Sequence, residues 1–370
     1  MNRTILHLLF LLFLTNCISL TDPHIYFQKY LESLSNKYIL DKTLAVNDIF
    51  LEKRNTGLVV IGMTTSKELY DEMNQYADSL TFQYDVQLLP DTTLGDSLYG
   101  IVNVSVTPMR EKPKHSSQMV DQVILGDYVK ILLAIEDWYL IQTDYDYVGW
   151  ISRPTIHRCG QNELSNWNKN ARYRVNTLNS MIYSKPDIKS LPVSDAVLNN
   201  RLIIKRLSSR WVKAILPDGR IGYLDTSFIV PITNEIDIQK FQRLIRSTAI
   251  SMKGVPYLWG GKSSKGSDCS GFTQTVFKSA GFQLPRDARQ QADLGNFIIK
   301  EDLEIGDLLF FGDKERITHV GISMGGLEFI HQGIKLEGKV DLHSLDPQSP
   351  SYNEYRENSF MFAKRIRPTS

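Results

Sequence analysis

The chain has 370 residues, room for two or three domains at about 150 residues each. Hydrophobic residues make up 42% and charged residues 22%, a globular composition that excludes wholesale disorder. Lys plus Arg number 42 and Asp plus Glu 41, so the net charge is +1 and the strongly basic footprint of a nucleic-acid binder is absent.

The three cysteines, Cys17, Cys159 and Cys269, are too few for a disulfide framework and too scattered for a zinc cluster. At the N-terminus Arg3 precedes the apolar run Ile5 to Leu14, interrupted only by His7. About ten apolar residues cannot cross a bilayer core of about 30 Å but suit the core of an export signal, so residues 1–16 read as a signal peptide. Leu14-Thr15-Asn16-Cys17 resembles a bacterial lipobox, in which the cysteine is acylated, although Asn16 replaces the small residue that pattern prefers. Lipidation at Cys17, ordinary cleavage and a retained anchor all stay open. Each implies export to the bacterial envelope, and if residues 1–16 are removed the loss of Arg3 brings the charge to 41 − 41 = 0.

Residues 17–96 read as a small α/β region. Leu31 to Tyr38 and Lys67 to Leu80 carry a helical period, and Gly57 to Met63 reads as a buried strand. An internal repeat follows. Asp137-Trp138-Tyr139 precedes Tyr147-Val148-Gly149-Trp150-Ile151, and Arg210-Trp211-Val212 precedes Arg220-Ile221-Gly222-Tyr223-Leu224. The copies are offset by a constant 73 residues. Short alternating strands with Gly- and Pro-marked turns suit small β-barrels, and both copies (97–155 and 170–232) resemble the bacterial SH3-like (SH3b) module. Asp144-Tyr145-Asp146-Tyr147 has no counterpart in the second copy, which points to the first as the one facing a ligand.

Pro231 to Asp237 reads as a linker and Ile238 to Met252 as a helix opening a last region, 237–370. Here Lys262 to Ser267 reads as a flexible loop, and Phe272 to Ala280 as a helix with Gly281 at its C-cap. Cys269 therefore stands near a helix N-terminus, where backbone N–H groups and the macrodipole favour a thiolate. Ile317 to Met324 and Leu327 to Gln332 read as a hairpin carrying His319 and His331. A two-residue Gly325-Gly326 turn would place the two imidazoles on opposite faces; a three-residue or bulged turn would bring them together. In that register one imidazole can serve as base to Cys269 while the other orients it. His343 also lies in this region.

Val255-Pro256-Tyr257-Leu258-Trp259-Gly260-Gly261, Asp268-Cys269-Ser270-Gly271-Phe272, Leu284-Pro285-Arg286-Asp287, Ile305-Gly306-Asp307-Leu308 and His319-Val320-Gly321-Ile322 together resemble the NlpC/P60 cysteine peptidases. The resemblance implies an α+β, papain-like domain with Cys269 as nucleophile, His319 as base and His331 as the orienting third residue. With two SH3b modules ahead, the chain resembles the γ-D-glutamyl-L-diamino acid endopeptidases within that family. These hydrolyse peptidoglycan-derived peptides with a free N-terminal L-Ala and need no cofactor or metal. Tyr257, Ser270 and Asp287 would then line the L-Ala-γ-D-Glu site, with Asp287 facing the ammonium. Asp287 is also suited to a plain helix N-cap, and the two roles are compatible. Tyr147 and Tyr145 are the candidates for a tyrosine from the first module.

The alternatives are an endopeptidase acting on intact murein, a non-catalytic wall-binding protein, and, more remotely, a zinc hydrolase, for which no closed ligand spacing occurs. Cys159 has no assigned role. A Cys159–Cys269 disulfide would block the chemistry, so both are expected to be free.

Overall fold

The computed structural model describes residues 23–367 apart from 56, 80–82, 207, 234–235, 314 and 335–337. The expected signal peptide and Cys17 motif lie outside the described residues. The chain divides into two compact units, one ending at Thr92 and the other beginning at Thr93.

In the first unit α1 (Pro23–Tyr38) precedes the hairpin β1 (Asn47–Arg54) and β2 (Gly57–Thr64). The helix α2 (Lys67–Ser79) then carries the chain across so that β3 (Gln83–Leu88) pairs parallel to β2. Phe27, Leu34, Val60, Leu69 and Met73 close its core.

The second unit opens on the repeat. The first copy consists of β4 (Tyr99–Val102), β5 (Val106–Arg110), β6 (Met119–Ile124), β7 (Tyr128–Ile135), β8 (Trp138–Thr143), β9 (Val148–Ser152) and β10 (Ile156–Cys159). A connecting helix, α3 (Gln161–Asn170), buries Leu164 and Trp167, and Trp167 Nε1 donates to the Gly126 carbonyl at 3.1 Å. The second copy consists of β11 (Tyr173–Val175), β12 (Asn179–Tyr183), β13 (Pro192–Val197), β14 (Arg201–Arg206), β15 (Trp211–Ile215), β16 (Ile221–Asp225) and β17 (Ile229–Pro231).

The first sheet runs β10-β4-β7-β8-β9-β5-β6 and the second, read in the same sense, β17-β11-β14-β15-β16-β12-β13. The order is the same strand for strand. A Cβ on Gly149 would stand 2.8 Å from Met109 Cγ, and one on Gly222 would stand 2.3 Å from Ile182 Cγ2. These glycines, and the side chains they admit, are also 73 apart. Strand β10 carries the first module past residue 155, because the chain returns after the turn at Arg153-Pro154-Thr155 to pair with β4. Cys159, at its end, is buried among Ile101, Leu164, Trp167 and Ala171 and is free.

The last region begins with α4 (Ile238–Ser251), capped by Asp237 Oδ1, which accepts from the Lys240 N–H at 2.7 Å. The short hairpin β18 (Lys262–Ser263) and β19 (Gly266–Ser267) leads into α5 (Cys269–Ser279), followed by α6 (Ala288–Ala292). The expectation of a flexible loop at 262–267 is corrected: most of the segment is buried. Gln122 Oε1 of the first module accepts from the Lys262 N–H at 2.8 Å, and Asp195 of the second pairs with Lys265 Nζ at 2.5 Å. Both modules thus grip the hairpin from equivalent positions, which the Gly/Ser composition does not reveal.

Six strands then form an antiparallel sheet: β20 (Asn296–Ile298), β21 (Leu308–Gly312), β22 (Ile317–Gly325), β23 (Glu328–Gln332), β24 (Val340–Ser344) and, after α7 (Glu354–Ser359), β25 (Phe360–Arg365). Their order is β20-β25-β21-β22-β23-β24. Leu308 and Phe310 enter the core containing Phe272, Val276 and Phe277 of α5, while Leu309 and Phe311 enter a second core with Phe329 and Ala363. Sheet alternation gives this unbroken apolar run two faces, each buried side chain contributing about 1.5–3 kcal/mol.

Candidate active site

Cys269 is the first residue of α5. Asp268 is the N-cap, its Oδ1 accepting from the Gly271 N–H at 2.8 Å. Gly271 is required by close approach, since a Cβ there would stand 2.0 Å from the Gly261 carbonyl oxygen. The expectation of a standing thiolate is corrected. Burial, and then the neighbouring Asp268 carboxylate, push the Cys269 thiol up to about 11, against the Val320 and Ser270 N–H groups and Arg286, which favour the anion. From an ordinary 9.0 this is roughly 3 kcal/mol against the thiolate, more than the about 0.3–1 kcal/mol a helix N-terminus returns. Burial wins.

The histidines come together through a bulge. Gly321 faces His331 and Ser323 faces Phe329, but Gly325 faces Glu328, so Met324 is the extra residue on β22. His319 and His331 therefore share one face of the sheet on neighbouring strands, and His319 Nε2 lies 2.9 Å from His331 Nδ1. Burial pushes His319 well below the ordinary imidazole range, with His331 and Arg356 adding to it. Burial, then Arg356 and His343, do the same to His331. Burial thus disfavours the charged form of the thiol and of both imidazoles.

A cleft of about 1120 Å³ is lined by Cys269, His319, Tyr257, Ser270, Asp287 and Tyr147 among others. Tyr147 crosses from the first module, and its hydroxyl donates to Asp287 Oδ1 at 3.4 Å. Burial and the Asp287 carboxylate hold that phenol well above its usual range, hence protonated and able to donate. Asp287 also caps α6, its N–H donating to Gln290 Oε1 at 3.0 Å. The two candidate tyrosines separate here. Tyr145 is turned away from the cleft lining, its hydroxyl bonded to Asp121 and Lys262.

Into the cleft wall runs a network not anticipated from sequence, Asp268, Ser270 and Arg286 themselves lining the cleft. Arg286, buried, donates from Nε to Asp121 at 2.7 Å, from Nη2 to Asp268 at 2.5 Å and from Nη1 to Ser270 Oγ at 2.9 Å. Lys262 Nζ is 3.7 Å from Asp121. Asp121 belongs to the first module and the other residues to the last region. The one signal pointing here was the adjacency of Arg286 to Asp287. Among the described residues no group of acidic, His and Cys side chains could hold a metal ion. A half-buried thiol at a helix start, an imidazole whose Nδ1 is left over after Nε2 is engaged, and the backbone N–H groups of the helix's first turn form a set suited to thiol-based acyl transfer.

Comparison with known proteins bears on this site directly. Residues 254–362 match the NlpC/P60 family and residues 105–157 the bacterial SH3 domain. Dipeptidyl-peptidase 6 of Lysinibacillus sphaericus is 29% identical over 266 residues, 69% of this chain and 94% of that protein. Gamma-D-glutamyl-L-lysine dipeptidyl-peptidase of Bacillus cereus is 29% identical over 256 residues, 65% of this chain and 74% of that one. Murein DD-endopeptidase MepS/Murein LD-carboxypeptidase of Escherichia coli is 35% identical over 134 residues, 34% of this chain and 69% of that protein. The crystal structure of an NlpC/P60 family protein from Bacillus cereus shares the fold, with a TM-score of 0.61 at 22% identity over 72% of this chain and 99% of that one. With a matching catalytic region and a matching fold, this chain belongs to the NlpC/P60 family of cysteine peptidases.

Proposed function

We propose that the protein hydrolyses the γ-D-glutamyl–diamino acid bond of freed peptidoglycan stem peptides that carry an unblocked N-terminal L-Ala. The observation that carries this reading is the Tyr147–Asp287 pair in the cleft that also holds Cys269. A carboxylate oriented by a tyrosine of the first module suits an ammonium, and a partly desolvated charge pair discriminates against an acylated amine. The name of the Bacillus cereus relative, a gamma-D-glutamyl-L-lysine dipeptidyl-peptidase, supports the same bond.

In this reading Cys269 Sγ attacks the γ-glutamyl carbonyl carbon and passes its proton to His319 Nδ1. The N–H groups at the start of α5 hold the oxyanion, and His331 orients His319 from the far side. As the tetrahedral species collapses, the C–N bond breaks and His319 returns the proton to the departing amine. Water, deprotonated by His319, then cleaves the thioester and restores the thiol. Tyr257 and Ser270 line the glutamyl side. Such a substrate places the enzyme in the bacterial envelope, consistent with the export signal read in residues 1–16 and with either fate of Cys17.

The test compares L-Ala-γ-D-Glu-diaminopimelate with its N-acetylated form. Loss of one charge-assisted contact of about 1.5–3 kcal/mol lowers kcat/KM by about 10- to 100-fold on the acetylated peptide. Equal rates would instead favour an enzyme of intact murein. Cys269→Ala and His319→Ala should each abolish release of L-Ala-D-Glu, and retained release in either would refute the assignment.

A further inference from the structure

The roles just proposed for Cys269 and His319 make a demand on a residue that no role yet covers. His319, His331 and His343 are spaced twelve apart in sequence and occupy three neighbouring strands, β22, β23 and β24. His331 faces Gly321 on one side and Asp341 on the other, while His343 faces Phe329. Each histidine is thus displaced by two residues from the pairing position of the next, and the three rings form a diagonal across one face of the sheet. His319 Nε2 is 2.9 Å from His331 Nδ1, and His331 Nε2 is 3.1 Å from His343 Nδ1.

We infer that His343 is a positioning residue: by accepting a hydrogen bond at Nδ1 it holds His331 in the Nε2–H tautomer that the base His319 requires. The proton count runs in one direction only. A neutral imidazole carries a single ring proton, and His319 must keep Nδ1 bare to receive the proton of Cys269. Its proton therefore sits on Nε2 and is donated to His331 Nδ1, which must be bare. The His331 proton is then on Nε2 and needs an acceptor, which His343 Nδ1 supplies. Reversing the chain would put a proton on His319 Nδ1 and leave the thiol with nothing to accept its own. When His319 becomes an imidazolium during attack, the same polarity keeps an acceptor against its Nε2–H.

The charged groups facing the chain are Arg356, which disfavours a cation on His319 and on His331, and Asp341 on β24. Asp341 is in turn paired with Lys253 at 3.0 Å and Lys339 at 3.3 Å. A buried neutral His331 cannot escape the constraint by taking up a second proton.

The test uses the full chain with His343→Ala and His343→Asn, because the Asn Oδ1 stands where Nδ1 stood and can only accept. Loss of the tautomer-fixing partner should lower kcat about tenfold or more with KM within about twofold, and Asn should recover most of the loss. The acid limb of the kcat profile should also move in His343→Ala and return in His343→Asn. Unimpaired kcat in His343→Ala, or Asn no better than Ala, would overturn the inference. In the wild-type enzyme, ring ¹⁵N shifts should report His331 as the Nε2–H tautomer; the Nδ1–H tautomer would overturn it without any variant. Cys269→Ala separates the two levels. Turnover retained there refutes the underlying catalytic reading, whereas an inert Cys269→Ala beside an unimpaired His343→Ala refutes only the role of His343.

Discussion

Removing the Asp121 carboxylate should both destabilise and disarm the protein, and the size of the effect follows from the charges around it. Asp121 is fully buried, accepts from Arg286 Nε at 2.7 Å and from the Tyr145 hydroxyl, and lies 3.7 Å from Lys262 Nζ. The buried set Asp121, Asp268, Arg286 and Lys262 sums to zero with Lys262 protonated; burial already pushes that ammonium below its usual range against the pull of Asp121, so Asp121→Ala strands a cation or forces Lys262 to give up its proton. At an effective dielectric of about 20 the lost attractions are about 6 kcal/mol at 2.7 Å and about 4.5 kcal/mol at 3.7 Å. Returning the carboxylate's own desolvation cost offsets much of this, and breaking one partner of a buried pair leaves a net loss of about 3–5 kcal/mol. All five tryptophans lie in the unit beginning at Thr93, so urea unfolding followed by their fluorescence reads this unit selectively. Because Asp121 ties the first module to the residue preceding Asp287, KM for the free-amine peptide should rise more than kcat falls. Adding Lys262→Met should recover part of the stability by removing the stranded cation. A loss below about 1 kcal/mol with unchanged KM would refute the reasoning, since an unpaired buried charge cannot be that cheap.

Three further outcomes are expected. Alkylation of Cys269 by iodoacetamide, followed on its own peptide, should keep accelerating through pH 9 towards about 11; a plateau reached below pH 7 would mean a standing thiolate instead. Gly222→Ala should cost about 1–3 kcal/mol by overpacking against Ile182, with Gly149→Ala in the same range against Met109, and a melt unchanged in both would contradict the packing. His319 and His331 titrate in the native state well below their ordinary value, so below about pH 6.5 the unfolded chain binds more protons and stability falls as pH falls. The melting temperature should therefore drop between pH 7 and 5, and His331→Asn should flatten that slope; an equal slope in the variant would contradict burial as its cause.

What could be read from sequence was local or periodic. The Asp268-Cys269-Ser270 helix start follows from a cap residue and a Gly/Ser segment, and the shared face of His319 and His331 from strand alternation plus one bulge. The repeat announced itself through a constant offset. The protonation state of Cys269 was misread because helix position is local while desolvation is set by the whole fold. Arg286 and Asp121 are 165 residues apart and follow no period, so their pairing appears only once the first module is seated. The 262–267 segment read as flexible because its partners, Gln122 and Asp195, belong to other modules.

The identical strand order of the two modules supplies an internal control of a kind usually sought between species. Positions alike in both copies, such as Trp138 and Trp211 or Gly149 and Gly222, record what this small sheet needs in order to fold. Positions that differ record what was added to one copy: Asp121 answers to Ser194, Tyr145 to Asp218 and Tyr147 to Arg220. Subtracting one half of the repeat from the other leaves the residues that reach the cleft and its supporting charges. The repeat thus separates architecture from recruitment within one chain, and transplanting those three side chains into the second module would ask how little is needed to turn a spacer into a wall of an active site.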